Sequence, residues 1–264
     1  MFDTGGNGPG PTLLVAAMLT AGGLWLGPRL QEAVWPQVRE AGSPLPWPAE
    51  PLHTAPASGT RPAATALGGA ASGVAGAALL FLLLLAGGLR PGTGAPGGFG
   101  PGTAADVVLA CAVAVAEEGL MRGAAFAAIA ERTGLAEAVW GTAALTAVAG
   151  WLSGMGPAAG LTTLLLGLWW GQGRARTGGT LWSTCSHAAW NVALGPLLGL
   201  GGEVAAGTGR ALLLPHAGPA AWAGPPGAVE GGLAAAAAGA VLAAVPAALG
   251  VLGGSRGGRP GAKT

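Results

Sequence analysis

Three ionisable side chains stand close together inside one apolar segment, which runs from about residue 107 to about residue 130. They are Glu117, Glu118 and Arg122, in a chain in which only 9% of the residues are charged. Placing one charged side chain at the centre of a bilayer costs about 2.5–3.5 kcal/mol on insertion scales. Such charges are usually paired or functional, so this triplet is the first candidate for chemistry.

The spacing of the three residues places them on two different faces of a helix. Glu118 and Arg122 are four residues apart, so they share a helix face and can form an ion pair. Glu117 is rotated by about 100° from Glu118, which leaves it free to face a cavity. There its carboxylate could act as a general base toward water. The alternative is that all three charges only tie helices together.

A second polar pair lies about 65 residues further along, where His187 and Asn191 are also four residues apart. Both point to one side of a helix. An imidazole and a carboxamide aimed into a bundle can hold a water, donate to a developing oxyanion or bind a metal. Alone, such a pair more often makes hydrogen bonds between helices. Together with the triplet, it indicates a functional site.

The composition predicts the elements that must position these residues. Hydrophobic residues make up 51% of the 264 residues, and the charged fraction is far below the roughly 25% of soluble domains. We therefore predict an all-α fold, a polytopic integral membrane helix bundle with about seven transmembrane helices. The net charge of +1 gives no indication of a nucleic-acid partner.

The apolar runs divide the chain into three parts. Residues 1–103 hold the N-terminal spans and a Pro-rich loop, residues 104–200 the core with the polar motifs, and residues 201–264 a loop, the last span and a basic tail. Gly69 and Gly73 predict close helix packing in the second span, because small residues four apart let backbones approach. The predicted spans are 12–26, 64–89, 104–130, 138–155, 158–172, 180–200 and 228–252.

The basic residues predict the orientation, because cytoplasmic loops carry an excess of Lys and Arg. With the N-terminus outside, the inside segments hold Arg29, Arg39, Arg61, Arg132, Arg174, Arg176, Arg256, Arg259 and Lys263. The outside segments hold only Arg90 and Arg210. This predicts a multi-pass cell-membrane protein with a cytoplasmic C-terminus. Tryptophans near the inside ends are predicted to be interface anchors: Trp25, Trp140, Trp169, Trp170 and Trp182.

The two motifs together resemble those of the CAAX-protease and bacteriocin-processing (CPBP) family of intramembrane proteases. Glu-Glu-xxx-Arg at 117–122 is followed by the segment LLLGLWWG at 164–171 and by His-xxx-Asn at 187–191. The resemblance covers roughly residues 104–198. It implies that Glu117 activates the hydrolytic water, that Glu118 and Arg122 form the supporting pair, and that His187 and Asn191 stabilise the oxyanion.

The resemblance also implies a reaction and its partners. The expected activity is cleavage of a membrane-associated or lipid-modified protein near its C-terminus, with the lipid bilayer as the second partner. No cofactor is required for this mechanism. A divalent metal at Glu117 and His187 is not favoured, because these two residues supply fewer ligands than the three that a catalytic zinc site uses.

The chain departs from the family pattern at its middle motif, Phe-xxx-His. Ala147 stands in the place of the Phe and Trp151 in the place of the His, and an indole cannot accept a proton. A second interpretation is therefore that the chain is a catalytically impaired relative of the family, which acts as a membrane peptide-binding or immunity-type protein. A small transporter with Glu117 and His187 as a proton relay is a third interpretation. The absence of repeated halves in the sequence counts against it.

Overall fold

The computed structural model describes residues 61–89, 100–152, 157–200, 219–224 and 229–248. Every regular element within these ranges is a helix. The predicted first span at 12–26 and the chain's two other histidines, His53 and His216, lie outside the described residues. The all-helical part of the fold prediction is therefore confirmed.

The helices follow the predicted spans from the second onward. The N-terminal half contains α1 (Pro62–Ala86), α2 (Pro101–Glu118), a π-helical segment (Gly119–Ala125), α3 (Phe126–Thr133) and α4 (Leu135–Gly150). The C-terminal half contains α5 (Pro157–Thr177), α6 (Leu181–Val192), a second π-helical segment (Ala193–Leu197), α7 (Ala220–Ala223), a 3-10 turn (Val229–Gly231) and α8 (Leu233–Ala248).

Proline and glycine set several of these boundaries. Pro62, Pro101 and Pro157 each stand at the first position of a helix, where the missing N–H costs nothing and the fixed φ angle suits the helix. Gly134 separates α3 from α4 with a φ of 121°, a conformation that side chains with a Cβ rarely adopt. The two helices on either side of it therefore fold back on each other.

Membrane crossing is supported most clearly at α1. Within the described ranges, α1 is the one helix that is long and apolar enough to span a bilayer by length and composition. Residues of α4 and α8 form shorter apolar helices of 10–17 residues. The count of about seven transmembrane helices stays a prediction.

Small residues allow the helices to approach closely, as predicted for Gly69 and Gly73. A Cβ at Gly69 would collide with the backbone of Trp182, and one at Gly73 with the backbone of Ser186, so α1 lies directly against α6. Helix α5 lies between α4 and α8, and it also contacts α6. Most of the site residues described below are carried by this central group of helices and by α2.

The tryptophan prediction is wrong for two of its members. Trp169 and Trp170 are only 4% and 3% exposed, so they are core residues and not interface anchors. Trp169 meets the ring of Trp182 edge-on, with centroids 5.8 Å apart. The side chains of Trp169 and Trp170 lie on buried sides of α5, where an indole fills more volume than any aliphatic side chain. Trp140 is largely exposed, as an anchor would be.

The described basic residues outside the site gather at one end of the bundle. Gly69 of α1 and Gly173 of α5 both lie against Trp182 near the start of α6, and Gly171 of α5 lies against Val139 near the start of α4. These contacts bring together the beginning of α1, the end of α3 and the end of α5. The arginines at that end are Arg61, Arg132, Arg174 and Arg176.

Candidate active site

The first part of the site is an ion pair between Glu118 and Arg122. Arg122 Nη1 lies 3.3 Å from Glu118 Oε1, and both side chains are buried. The other terminal nitrogen of Arg122, Nη2, donates to the carbonyl oxygen of Gly167 on α5 at 3.2 Å. The pair therefore also ties α2 to α5.

Glu118 and Arg122 do not satisfy each other's hydrogen-bonding groups completely. They share one contact only, and Glu118 Oε1 also lies 3.2 Å from Nδ1 of His187. Arg122 Nε has no hydrogen-bond partner among the described residues. The carboxylate is shared between the guanidinium and the imidazole, because α2 and α6 pack closely enough for the ring to reach it.

His187 lies between the two adjacent carboxylates. Its Nδ1 faces Glu118 at 3.2 Å, and its Nε2 lies 3.8 Å from Oε2 of Glu117. The histidine is buried, whereas the Glu117 side chain is 39% exposed. The structure thus brings Glu117, Glu118, Arg122 and His187 together, with Glu117 on the accessible side.

The contact with Glu118 determines how the imidazole can act. An ionised carboxylate only accepts hydrogen bonds, so Nδ1 of His187 must carry the hydrogen in that contact. Nε2 then accepts a hydrogen bond when the ring is neutral and donates one when the ring is protonated. One nitrogen is held by Glu118 and the other is directed toward Glu117.

Trp170 holds the imidazole from a second side. Its ring is stacked on His187 with centroids 4.0 Å apart and 20° between the planes. Its Nε1 donates to Oγ of Ser186 at 3.2 Å, and the guanidinium carbon of Arg122 lies 5.6 Å from its ring centre. Sequence reasoning missed this residue, because a tryptophan near a helix end also fits an interface anchor.

A π-helical segment begins directly after Glu118. Such segments weaken the regular helix bonding and are frequent at functional sites. Arg174 of α5 donates from Nε to the carbonyl oxygen of Arg122 at 3.0 Å, and its guanidinium lies over the ring of Phe126. Gly119 and Gly123 in the segment were the available signal, since glycine weakens an α-helix.

Asn191 lies one turn beyond His187 on α6 and is 7% exposed. Its Nδ2 is buried without a hydrogen-bond partner among the described residues. A buried N–H donor that makes no hydrogen bond costs free energy. An accepting oxygen next to it would recover that free energy, which fits an oxyanion or a carbonyl.

Trp151, in the position of the missing histidine, does not fill the site. Its side chain is 62% exposed at the end of α4. Its Cβ lies near Gly160 on α5. Gly167, which receives the hydrogen bond of Arg122, stands about two turns further along the same helix.

Metal ligands are sparse in the described part of the chain. Within it, no group of three or more His, Cys, Asp or Glu side chains is arranged to hold a metal ion. Catalytic zinc sites use three protein ligands as a rule.

The fold and the site define a class of protein: over the described residues, an all-helical domain with a buried cluster of carboxylate, guanidinium and imidazole groups. Residues 101–193 match the family model described as Type II CAAX prenyl endopeptidase Rce1-like. The match confirms the resemblance to the CAAX-protease family over this part of the chain. The matched range includes all five predicted site residues. No curated protein and no solved structure matches the chain.

Proposed function

We propose that the chain is an intramembrane endopeptidase of the CPBP type, which hydrolyses a peptide bond near the C-terminus of a membrane-associated or lipid-modified protein. The family match supports a peptidase of the CAAX class. The observation that carries the proposal is the position of His187 between the two carboxylates, with Nε2 3.8 Å from Glu117 and Nδ1 3.2 Å from Glu118.

This arrangement suits the activation of a water molecule. A water that makes hydrogen bonds of about 2.8 Å to both Glu117 Oε2 and His187 Nε2 would form an angle of roughly 85° between them. Glu117 accepts one proton of that water as its oxygen attacks the scissile carbonyl carbon. The same proton then passes to the leaving nitrogen, and the peptide C–N bond breaks.

The oxyanion that develops on the scissile carbonyl oxygen needs hydrogen-bond donors. Asn191 offers a buried Nδ2 with no hydrogen-bond partner among the described residues, and His187 donates from Nε2 when its ring is protonated. Removing one such donor in other hydrolases costs about 10²–10³ in rate. Glu118 and Arg122 act indirectly, since they hold His187 in place.

The reaction as proposed uses no bound metal, because Glu117 and His187 supply two ligands where catalytic zinc takes three. In this proposal the bundle lies in the cell membrane, with its basic end toward the cytoplasm. The concentration of arginines at the ends of α3 and α5 and at the start of α1 supports that orientation.

The test is cleavage of a prenylated CAAX peptide by the purified full-length protein in lipid vesicles. We expect Glu117→Gln to lower the rate by about 10²–10⁴, the usual contribution of a general base. Glu137→Gln is the matched control, since Glu137 is an exposed carboxylate in the first turn of α4. Equal rates for wild type and Glu117→Gln would exclude Glu117 as the base.

A second function is favoured by one observation, the tryptophan in the middle motif. A catalytically impaired relative would keep the site and bind a membrane peptide without cleaving it, as an immunity-type protein does. Trp151→His separates the two functions. Cleavage by the wild-type protein supports the peptidase, whereas binding without cleavage, together with activity gained in Trp151→His, supports the impaired relative.

A further inference from the structure

A cavity separate from the candidate active site opens between α1, α5, α8 and the start of α6. Its volume is about 350 Å³, within the range of about 300–1,000 Å³ that is typical of small-molecule sites. Its walls are mainly apolar and include two indoles and two aliphatic side chains: Trp169, Trp182, Leu242 and Val245. An apolar chain would fit this part of the cavity.

One charged side chain lines the same cavity. Arg176, in the last turn of α5, is exposed and has no acidic partner among the described residues. Its neighbour Arg174 differs, because its guanidinium is used by the carbonyl of Arg122 and the ring of Phe126. Arg176 is therefore available to bind an anion from outside the described chain.

The cavity lies at the basic end of the bundle. Gly173, Arg176 and Thr177 line it from the end of α5, and Trp182 lines it from the start of α6. A membrane protein meets the headgroups of one leaflet at such an end. Basic pockets between helices on the cytoplasmic side of a membrane attract anionic lipid headgroups.

We propose that this cavity binds an anionic phospholipid, with the phosphate at Arg176 and part of one acyl chain against Trp169, Trp182, Leu242 and Val245. The charge of Arg176 selects the headgroup, and the apolar walls select a lipid over a free phosphate. The inference requires a membrane but not the peptidase reaction, so each can fail without the other.

The test uses the full-length protein in neutral detergent. The midpoint of thermal unfolding is measured while phosphatidylglycerol, phosphatidylcholine or glycerol phosphate is added. We expect phosphatidylglycerol to raise the Tm, phosphatidylcholine to act more weakly and glycerol phosphate to have no effect. Arg176→Gln should weaken the apparent affinity for phosphatidylglycerol about fivefold, whereas Arg132→Gln, a change at the same end outside the cavity, should not.

A second variant tests the apolar part. Ala75 lines the cavity from an exposed position on α1, so Ala75→Trp should fill it and abolish the Tm shift. Equal shifts with the two lipids, an equal loss in Arg132→Gln, or an unchanged response in Arg176→Gln would overturn the proposal. Stabilisation by glycerol phosphate alone would assign the site to a free phosphate instead.

Discussion

The imidazole of His187 is stacked on the indole of Trp170, with ring centroids 4.0 Å apart and 20° between the ring planes. The indole is held by its own hydrogen bond to Ser186, and Ser186 receives a second hydrogen bond from Ser72 of α1 at 3.3 Å. The orientation of the histidine therefore depends on α1, α5 and α6 together, in addition to the carboxylate of Glu118.

Trp170→Phe tests this stack. Phenylalanine keeps an aromatic face but loses the N–H that Ser186 accepts. Aromatic pairs contribute about 0.5–1.5 kcal/mol beyond their buried area, so we expect Trp170→Phe to retain most of the cleavage rate. Trp170→Ala should lower the rate by more than tenfold and destabilise the core by about 3–5 kcal/mol.

The readouts for Trp170 are the cleavage rate, its dependence on pH and reversible unfolding in mixed micelles. A change in the pH profile indicates that His187 itself has been affected, which a loss of core packing alone would not produce. If the pH dependence of the cleavage rate is unaltered in both variants, Trp170 does not position His187.

Arg122→Gln tests the buried ion pair. Removing one member of a buried pair leaves an uncompensated charge and costs about 3–5 kcal/mol. We expect this loss of stability for Arg122→Gln, measured by reversible unfolding. The double variant Glu118→Gln with Arg122→Gln should be more stable than Arg122→Gln alone, because no unpaired charge remains. A double variant that is less stable than Arg122→Gln would contradict the pairing.

Two neighbouring glycines offer a matched test of the α1–α6 contact. A Cβ at Gly69 would collide with the backbone of Trp182, whereas a Cβ at Gly68 would lie 3.9 Å from the indole Nε1 of the same residue. We expect Gly69→Ala to destabilise the bundle by about 1–3 kcal/mol, as overpacking does, and Gly68→Ala to have little effect. Similar unfolding midpoints for both variants would argue against the packing.

Arg174→Gln tests the bond that supports the π-helical segment. The variant removes the donor to the carbonyl oxygen of Arg122, and an unsatisfied buried group costs about 1–3 kcal/mol. Arg176→Gln is the control, because Arg176 lies two residues later and has no partner in the described chain. The stabilities of both variants are compared in detergent without added lipid. If both changes leave stability the same, the Arg174 contact has no structural role.

Much of the site could be predicted from residue type and spacing. Charged side chains are so costly in an apolar segment that Glu117, Glu118 and Arg122 could be singled out without a structure. The four-residue spacing predicted the Glu118–Arg122 pair, and the Gly69–Gly73 spacing predicted close helix packing, because both depend on the geometry of one helix.

Tertiary packing alone decided how these groups meet. Whether Glu118 would face only Arg122 or also His187 depends on the rotation of α6 against α2, which no local pattern records. The burial of Trp170 and the exposure of Trp151 depend in the same way on which neighbouring helices cover them. The sequence by itself determined an apolar helical chain with two polar motifs of the CAAX-protease type. The tertiary structure placed His187 between two carboxylates and an indole, because contacts between helices depend on the packing of several elements at once.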